Sequence, residues 1–150
     1  MGNAFDNNTP RVSVAAIVTK GQRVLAGRRI IGQGESCWQL PGGWMHSGES
    51  PIVAVNRELY EETNLKFDNP DLDAITNNIF PDGTHSITLF FKGECQNPAD
   101  LAVREFDKCE SWHWIDWQNV EGNIFLPLKL LIDSRYRPFS SRKSVLCISF

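Results

Sequence analysis

Glu58, Glu61 and Glu62 carry the first chemical signal in the sequence. Spaced i, i+3 and i+4, they fall on one face of any helix that contains them. Like charges so placed repel, at a cost of roughly a few tenths of a kcal/mol per pair. A hard divalent cation relieves that cost. Mg²⁺ takes oxygen ligands in octahedral geometry and usually combines few carboxylates with waters and phosphate oxygens. A solvated acidic face is the bland alternative, and for two glutamates in an arbitrary helix it would prevail. Here Gly42-Gly43 precedes the acids at a fixed distance, and such a turn can bring a backbone carbonyl beside the same ions. A surface helix has no need of that loop.

The helix that must present these acids reads from Pro51 to Thr63. Ser50 suits the N-cap and Pro51 the first helical position. Ile52, Val55 and Leu59 recur at helical spacing and predict a buried stripe, with the acids facing out. Asn64 stands where the helix should end, and asparagine tolerates the left-handed C-cap. Before the helix, Val12–Thr19 reads as a buried strand and Arg23–Arg29 as its hairpin partner. Ile30–Cys37, with Gly32 and Gly34, reads as a loop. After the helix, Leu72–Phe80 and His85–Gly93 read as strands joined by Pro81-Asp82-Gly83-Thr84. Trp112–Trp117 reads as a further strand, Leu126–Ser134 as a short amphipathic helix, and Val145–Phe150 as a strand or a frayed end. This order predicts an α/β protein, a mixed sheet sandwiched between helices.

The chain has 150 residues, the size of one domain, with residues 1–10 a loose polar leader. The formal net charge of −3 gives no basic footprint for a nucleic-acid polymer, although a metal could still bridge the protein to a polyphosphate. Cys37, Cys95, Cys109 and Cys147 form no CxxC pair and read as reduced thiols of a cytoplasmic protein. Neither a signal peptide nor a membrane span is predicted. A homodimer is compatible with the sequence. No nucleophile motif of the G-x-S-x-G kind occurs, so the expected reaction is direct attack by water.

Gly43, five residues, Glu49, seven residues, then Arg57-Glu58-Leu59-Tyr60-Glu61-Glu62-Thr63-Asn64-Leu65 resembles the Nudix box, G-x5-E-x7-R-E-U-x-E-E-x-G-U with U aliphatic. The one departure is Asn64, where the box has glycine. Leu25-Ala26-Gly27-Arg28-Arg29, Trp38-Gln39-Leu40-Pro41-Gly42-Gly43 and Glu110-Ser111-Trp112-His113-Trp114 are similar to the MutT-related branch that cleans nucleotide pools. The resemblance covers most of residues 11–138 and implies a Nudix α/β/α sandwich.

It also implies roles. Glu58, Glu61 and Glu62 would bind Mg²⁺, with Mn²⁺ as an alternative, aided by a carbonyl of Gly42 or Gly43. Glu61 would be a ligand or the base. Glu105 or Glu110 would supply any later acid, and the spacing does not choose between them. Arg57 would orient Glu49 or Glu58. Arg28 or Arg29, with Arg29 ahead, would meet a phosphate. Leu40, Asn77, Asn78, Phe80, Phe90, Trp112 and Trp114 would supply a base pocket, aromatics stacking and amides reading an edge. His46, His85 and His113 receive no catalytic role. The leading expectation is a nucleoside or deoxynucleoside triphosphate pyrophosphatase releasing monophosphate and pyrophosphate from a small-molecule substrate. A nucleoside diphosphate-X hydrolase, acting on ADP-ribose or a nucleotide sugar, is the second. A GDP-mannose glycosyl hydrolase and a non-catalytic binding module are disfavoured, because such relatives alter the acids that are intact here.

Overall fold

The computed structural model describes residues 8–141 and 144–150, so most of the expected leader lies outside the described residues. The chain runs β1 (Arg11–Lys20), β2 (Arg23–Gly32), β3 (Glu35–Gln39), β4 (Gly42–Trp44), α1 (Pro51–Thr63), β5 (Phe67–Ile79), β6 (His85–Cys95), β7 (Cys109–Ile115), α2 (Leu126–Asp133) and β8 (Leu146–Ile148). Short 3-10 turns occupy Pro98–Asp100 and Trp117–Asn119.

The sheet is organised around β1. Its near-continuous apolar run is buried on both faces, the pattern of a strand covered from two sides. Val14, Ala16 and Val18 pack with Ala54, Val55 and Leu59 of α1. Ala15 and Ile17 pack with Leu128 and Leu131 of α2 on the opposite face. β1 pairs in parallel with β6, and antiparallel with β2 through Thr19 and Lys20 and with β4 through Ser13 to Ala15. The path of the sheet is β3-β2-β1-β6-β5-β8, with β4 on β1 and β7 on β2. The result is the expected α/β/α sandwich with a mixed sheet.

Several boundaries differ from the sequence reading. The segment expected to be a loop, Ile30–Cys37, is mostly strand. β2 continues to Gly32, β3 begins at Glu35, and the chain turns at Gln33-Gly34, where Gly34 has φ +72°. Glycine permits that backbone, which other residues rarely adopt. β5 starts at Phe67, five residues before Leu72, across a polar stretch held by register shifts against β6. β7 begins at Cys109 and ends at Ile115. Val145–Phe150 contains a true strand, β8, parallel to β5. In α1, Ile52 is exposed and Ala54 takes its place in the buried stripe. All four cysteines are free thiols. Among the described residues no helix is long and apolar enough to cross a membrane.

Candidate active site

Two elements hold the acids, α1 and β4, and both are fixed locally. The Ser50 hydroxyl accepts from the Val53 N–H at 3.3 Å, and Pro51 occupies the first turn. At the other end Asn64 adopts φ 66°, ψ 11°, and its N–H donates to the Tyr60 carbonyl at 3.0 Å. This is the left-handed cap that the box glycine would make. The Asn64 side chain adds what glycine lacks: its amide donates to the Asp100 carbonyl at 3.1 Å and accepts from Arg104.

β4 lies against α1 because two glycines let it. A Cβ on Gly42 would strike the Val14 carbonyl and come within 2.9 Å of Ala15 Cα. A Cβ on Gly43 would sit 2.5 Å from Glu58 Oε1. Glu58 therefore fills the space that Gly43 leaves. The Gly42 N–H donates to Glu62 Oε2 at 2.9 Å. The expectation that all three acids face solvent needs correction on this geometry. Glu58 and Glu62 are half-buried between helix and strand, and only Glu61 is exposed.

Arg57 organises the rest. It grips Glu49 with two bonds, Nε to Oε2 at 2.9 Å and Nη2 to Oε1 at 2.7 Å. Its Nη1 reaches Glu58 at 2.9 Å and Glu61 at 3.2 Å, and Nη2 donates to the Trp44 carbonyl at 3.1 Å. The sequence reading left Arg57 to orient Glu49 or Glu58; it bonds both.

Burial and charge set the protonation states. Hydrogen bonds from Arg57 hold the Glu49 carboxyl down at about 2. Burial pushes Glu62 up to about 8, with Glu58 and Glu105 adding repulsion. Burial also raises Glu58, and it outweighs the Arg57 ion pair. Glu105 thus lies within the field of Glu58 and Glu62, held by Lys108 at 3.4 Å. Glu110 is exposed at the start of β7 and perturbs only its neighbour Cys109 among these groups.

Among the described residues no three His, Cys, Asp or Glu side chains converge at metal-holding distance. The carboxylates are instead drawn onto Arg57 and the Gly42 N–H. The donor set still suits a hard divalent cation, because it is all oxygen and burial opposes ionisation of its two inner acids, a cost that a cation would offset.

A cleft of about 300 Å³ opens beside β4, which is the lower end of the range for small-ligand sites. Gly42, Gly43 and Trp44 line one part of it, and Leu40, Phe90 and Leu128 form an apolar wall. Phe80 and Phe125 flank it with ring centroids 5.7 Å apart, and the Arg29 guanidinium lies 4.6 Å from the Phe125 ring. Arg29 also donates to Gln39 Oε1 at 3.2 Å. Of the residues expected in a base pocket, Leu40, Phe80 and Phe90 line this cleft, and so does Arg29, which was expected to meet a phosphate. Asn78 is fully buried behind it. Arg28 lies outside it, bonding Ser36 and stacking on Trp38. Trp114 and Trp112 are also outside, packed with the α1 side of the core. Asn77 is occupied by His85 and the Ser149 carbonyl. Sequence reasoning missed Phe125, Gln39, Ser13, Ser86 and Thr88. Alternation along Ser86, Thr88 and Phe90 was a usable signal for the last two. Phe125 carried none.

The NUDIX domain family model matches residues 9–139. The chain belongs to the Nudix family. It is an enzyme, a hydrolase of pyrophosphate bonds. An RNA pyrophosphohydrolase of Francisella philomiragia is 36% identical over 139 residues, spanning 81% of this Nudix chain and 88% of the relative. One from Bartonella clarridgeiae is 30% identical over 129 residues, spanning 68% and 73%. The crystal structure of a MutT NUDIX hydrolase from Burkholderia pseudomallei superposes with a TM-score of 0.76 at 22% identity, over 85% of this chain and 99% of that one. That last likeness speaks for the fold.

Proposed function

We propose that this Nudix enzyme hydrolyses nucleoside or deoxynucleoside triphosphates to monophosphate and pyrophosphate with Mg²⁺. The observation that carries the reading is the cleft, which runs from the glycines beside Glu58 and Glu62 to the aromatic pair Phe80 and Phe125. That layout suits a molecule with polyphosphate at one end and a planar ring at the other. Glu58 and Glu62 would hold the ion, with Glu105 nearby as an additional acid. When bound, the ion neutralises phosphate charge and lowers the pKa of the attacking water. Arg57, bonded to Glu58 and Glu61, would hold both acids beside the site. Glu61, the exposed member, would take the proton of the water as its oxygen bonds to phosphorus and the bridging P–O bond breaks. Arg29, at the cleft rim, would meet a phosphate or the ring face.

The names of the relatives support a second reading, in which the triphosphate is the 5′ end of an RNA. The net charge of −3 weighs against a long polymer footprint. The test is turnover of a panel with products identified: free triphosphates, a 5′-triphosphorylated oligoribonucleotide, ADP-ribose and nucleotide sugars. Pyrophosphate released faster from free triphosphates than from the oligonucleotide supports the leading reading. The reverse order selects the RNA end. Monophosphate plus ribose phosphate from ADP-ribose selects a diphosphate substrate.

A further inference from the structure

The floor of the cleft is polar where a mostly apolar one would suffice. On β1, β5 and β6 the face toward α2 carries Ala15, Ala74 and Phe90 in the core. Further along the same face the strands place Ser13, Thr76, Asn78, Ser86 and Thr88. Ser13, Ser86 and Thr88 line the cleft, and Asn78 lies behind them with no exposed surface. The Asn78 amide donates to Ser86 Oγ at 3.0 Å and to Thr88 Oγ1 at 2.9 Å. Thr88 Oγ1 and Ser13 Oγ share a hydrogen bond of 2.8 Å. Asn78 Oδ1 is buried with no partner.

These bonds determine where the hydroxyl hydrogens go. An amide nitrogen only donates, so both hydroxyls act as acceptors toward Asn78. The Ser86 hydrogen is then left over, and among the described residues its hydroxyl makes no other bond. Ser86 lines the cleft, so this hydrogen is available to a ligand there. The Ser13–Thr88 pair has two hydrogens for one mutual bond, and the other acceptor in reach is the Ile87 carbonyl at 3.5 Å. The pair can spend its spare hydrogen on that carbonyl, so the floor is left with one hydrogen, on Ser86, that needs an acceptor from the ligand. With the Arg29 guanidinium at the rim, the cleft offers donors to a ligand edge that accepts.

We propose that Asn78 is a positioning residue for specificity: by donating to Ser86 and Thr88 it makes the cleft select bases that present a carbonyl over those that present an amino group. This rests on the reading that a nucleotide base occupies the cleft. Carbonyl oxygens accept and exocyclic amines donate, so within each matched pair the exocyclic group facing the floor changes from acceptor to donor while the adjacent ring nitrogen changes the opposite way. An amino group at that position would leave the Ser86 hydrogen without an acceptor, a discrimination of about tenfold per lost bond.

The test compares kcat/KM within two matched pairs, inosine against adenosine triphosphate and uridine against cytidine triphosphate. The wild type should favour the carbonyl member of each pair by about tenfold or more. In Asn78→Asp a carboxylate accepts from both hydroxyls, turns them away from the cleft, and should lower each ratio at least tenfold, chiefly through KM of the carbonyl substrate. Ser86→Ala removes the floor donor, leaves Asn78 its bond to Thr88, and should bring the ratios toward one. A ratio measured on one preparation is blind to a reduced folded fraction, so a merely structural role would not move it. Equal rates within the pairs for the wild type, or ratios unchanged in both variants, would overturn the inference and leave the triphosphatase reading standing. Hydrolysis of none of the four, nor of the deoxynucleoside triphosphates run beside them, would overturn the triphosphatase reading itself.

Discussion

Arg57 and Glu62 sit a few residues apart and behave oppositely toward protons. Arg57 keeps Glu49 ionised with a pKa of about 2, while burial lifts Glu62 to about 8. Each shift is a statement about stability. Glu62 is raised in the folded state, so its contribution is fully present below about 4.5 and is lost as pH rises toward 8. Glu49 is depressed, so its contribution is present above about 4.5 and is lost as pH falls toward 2. The metal-free protein should therefore lose melting temperature between pH 5 and 8.5. Added Mg²⁺ should restore most of that loss, because the cation replaces the proton on Glu62. Glu62→Gln should flatten this limb and remove the response to Mg²⁺ while leaving the acid limb in place. Thermal melts across pH, with and without the ion, read both. A profile of Glu62→Gln identical to the wild type would refute the assignment of the alkaline limb.

At the scale of the element, α1 shows how much a sequence can state and where it stops. Its start, its end and its left-handed cap were all legible, because Ser50, Pro51 and Asn64 act through bonds to their immediate neighbours. The burial of Glu58 and Glu62 was not legible. It depends on β4 lying close, and β4 is placed by pairing with β1, some thirty residues earlier in the chain. Hairpin β2–β3 was misread for a related reason: Gly32 and Gly34 look like a loop, yet pairing carries β2 through Gly32 and confines the turn to Gln33-Gly34. The start of β5 was missed because Asp68-Asn69-Pro70 lacks strand character and is held only by register-shifted pairing with β6. Asn64 supports a direct check. Alanine there keeps a strained positive φ and loses the bonds to Asp100 and Arg104, at a cost of about 1–2 kcal/mol. Glycine relieves the strain and loses only the side-chain bonds. Urea unfolding should rank the wild type and Asn64→Gly above Asn64→Ala. Equal stability of the alanine and glycine variants would contradict the cap.

Across the whole molecule, β1 separates two jobs. Its α1 face backs the acidic side of the site, and its α2 face continues into the cleft floor. The cleft was only partly legible because its walls come from five separate segments. Leu40 and Phe80 could be picked by type, whereas Phe125 enters just before α2 and Ser13 from the first strand. The segment after α2 is fastened to the sheet by Tyr136, fully buried, whose hydroxyl donates to Asp73 at 2.6 Å. Tyr136→Phe leaves that carboxylate with Lys92 at 3.5 Å and should cost about 1–3 kcal/mol in denaturant unfolding. An unchanged midpoint would show that the bond does not fasten this layer.

The measurement closest to the central claim is Mg²⁺-dependent turnover of a nucleoside triphosphate by wild type and by Glu62→Gln, each confirmed folded. The account predicts pyrophosphate release by the wild type that EDTA abolishes, and a loss of about 100-fold or more in the variant. Undiminished turnover by Glu62→Gln would contradict it.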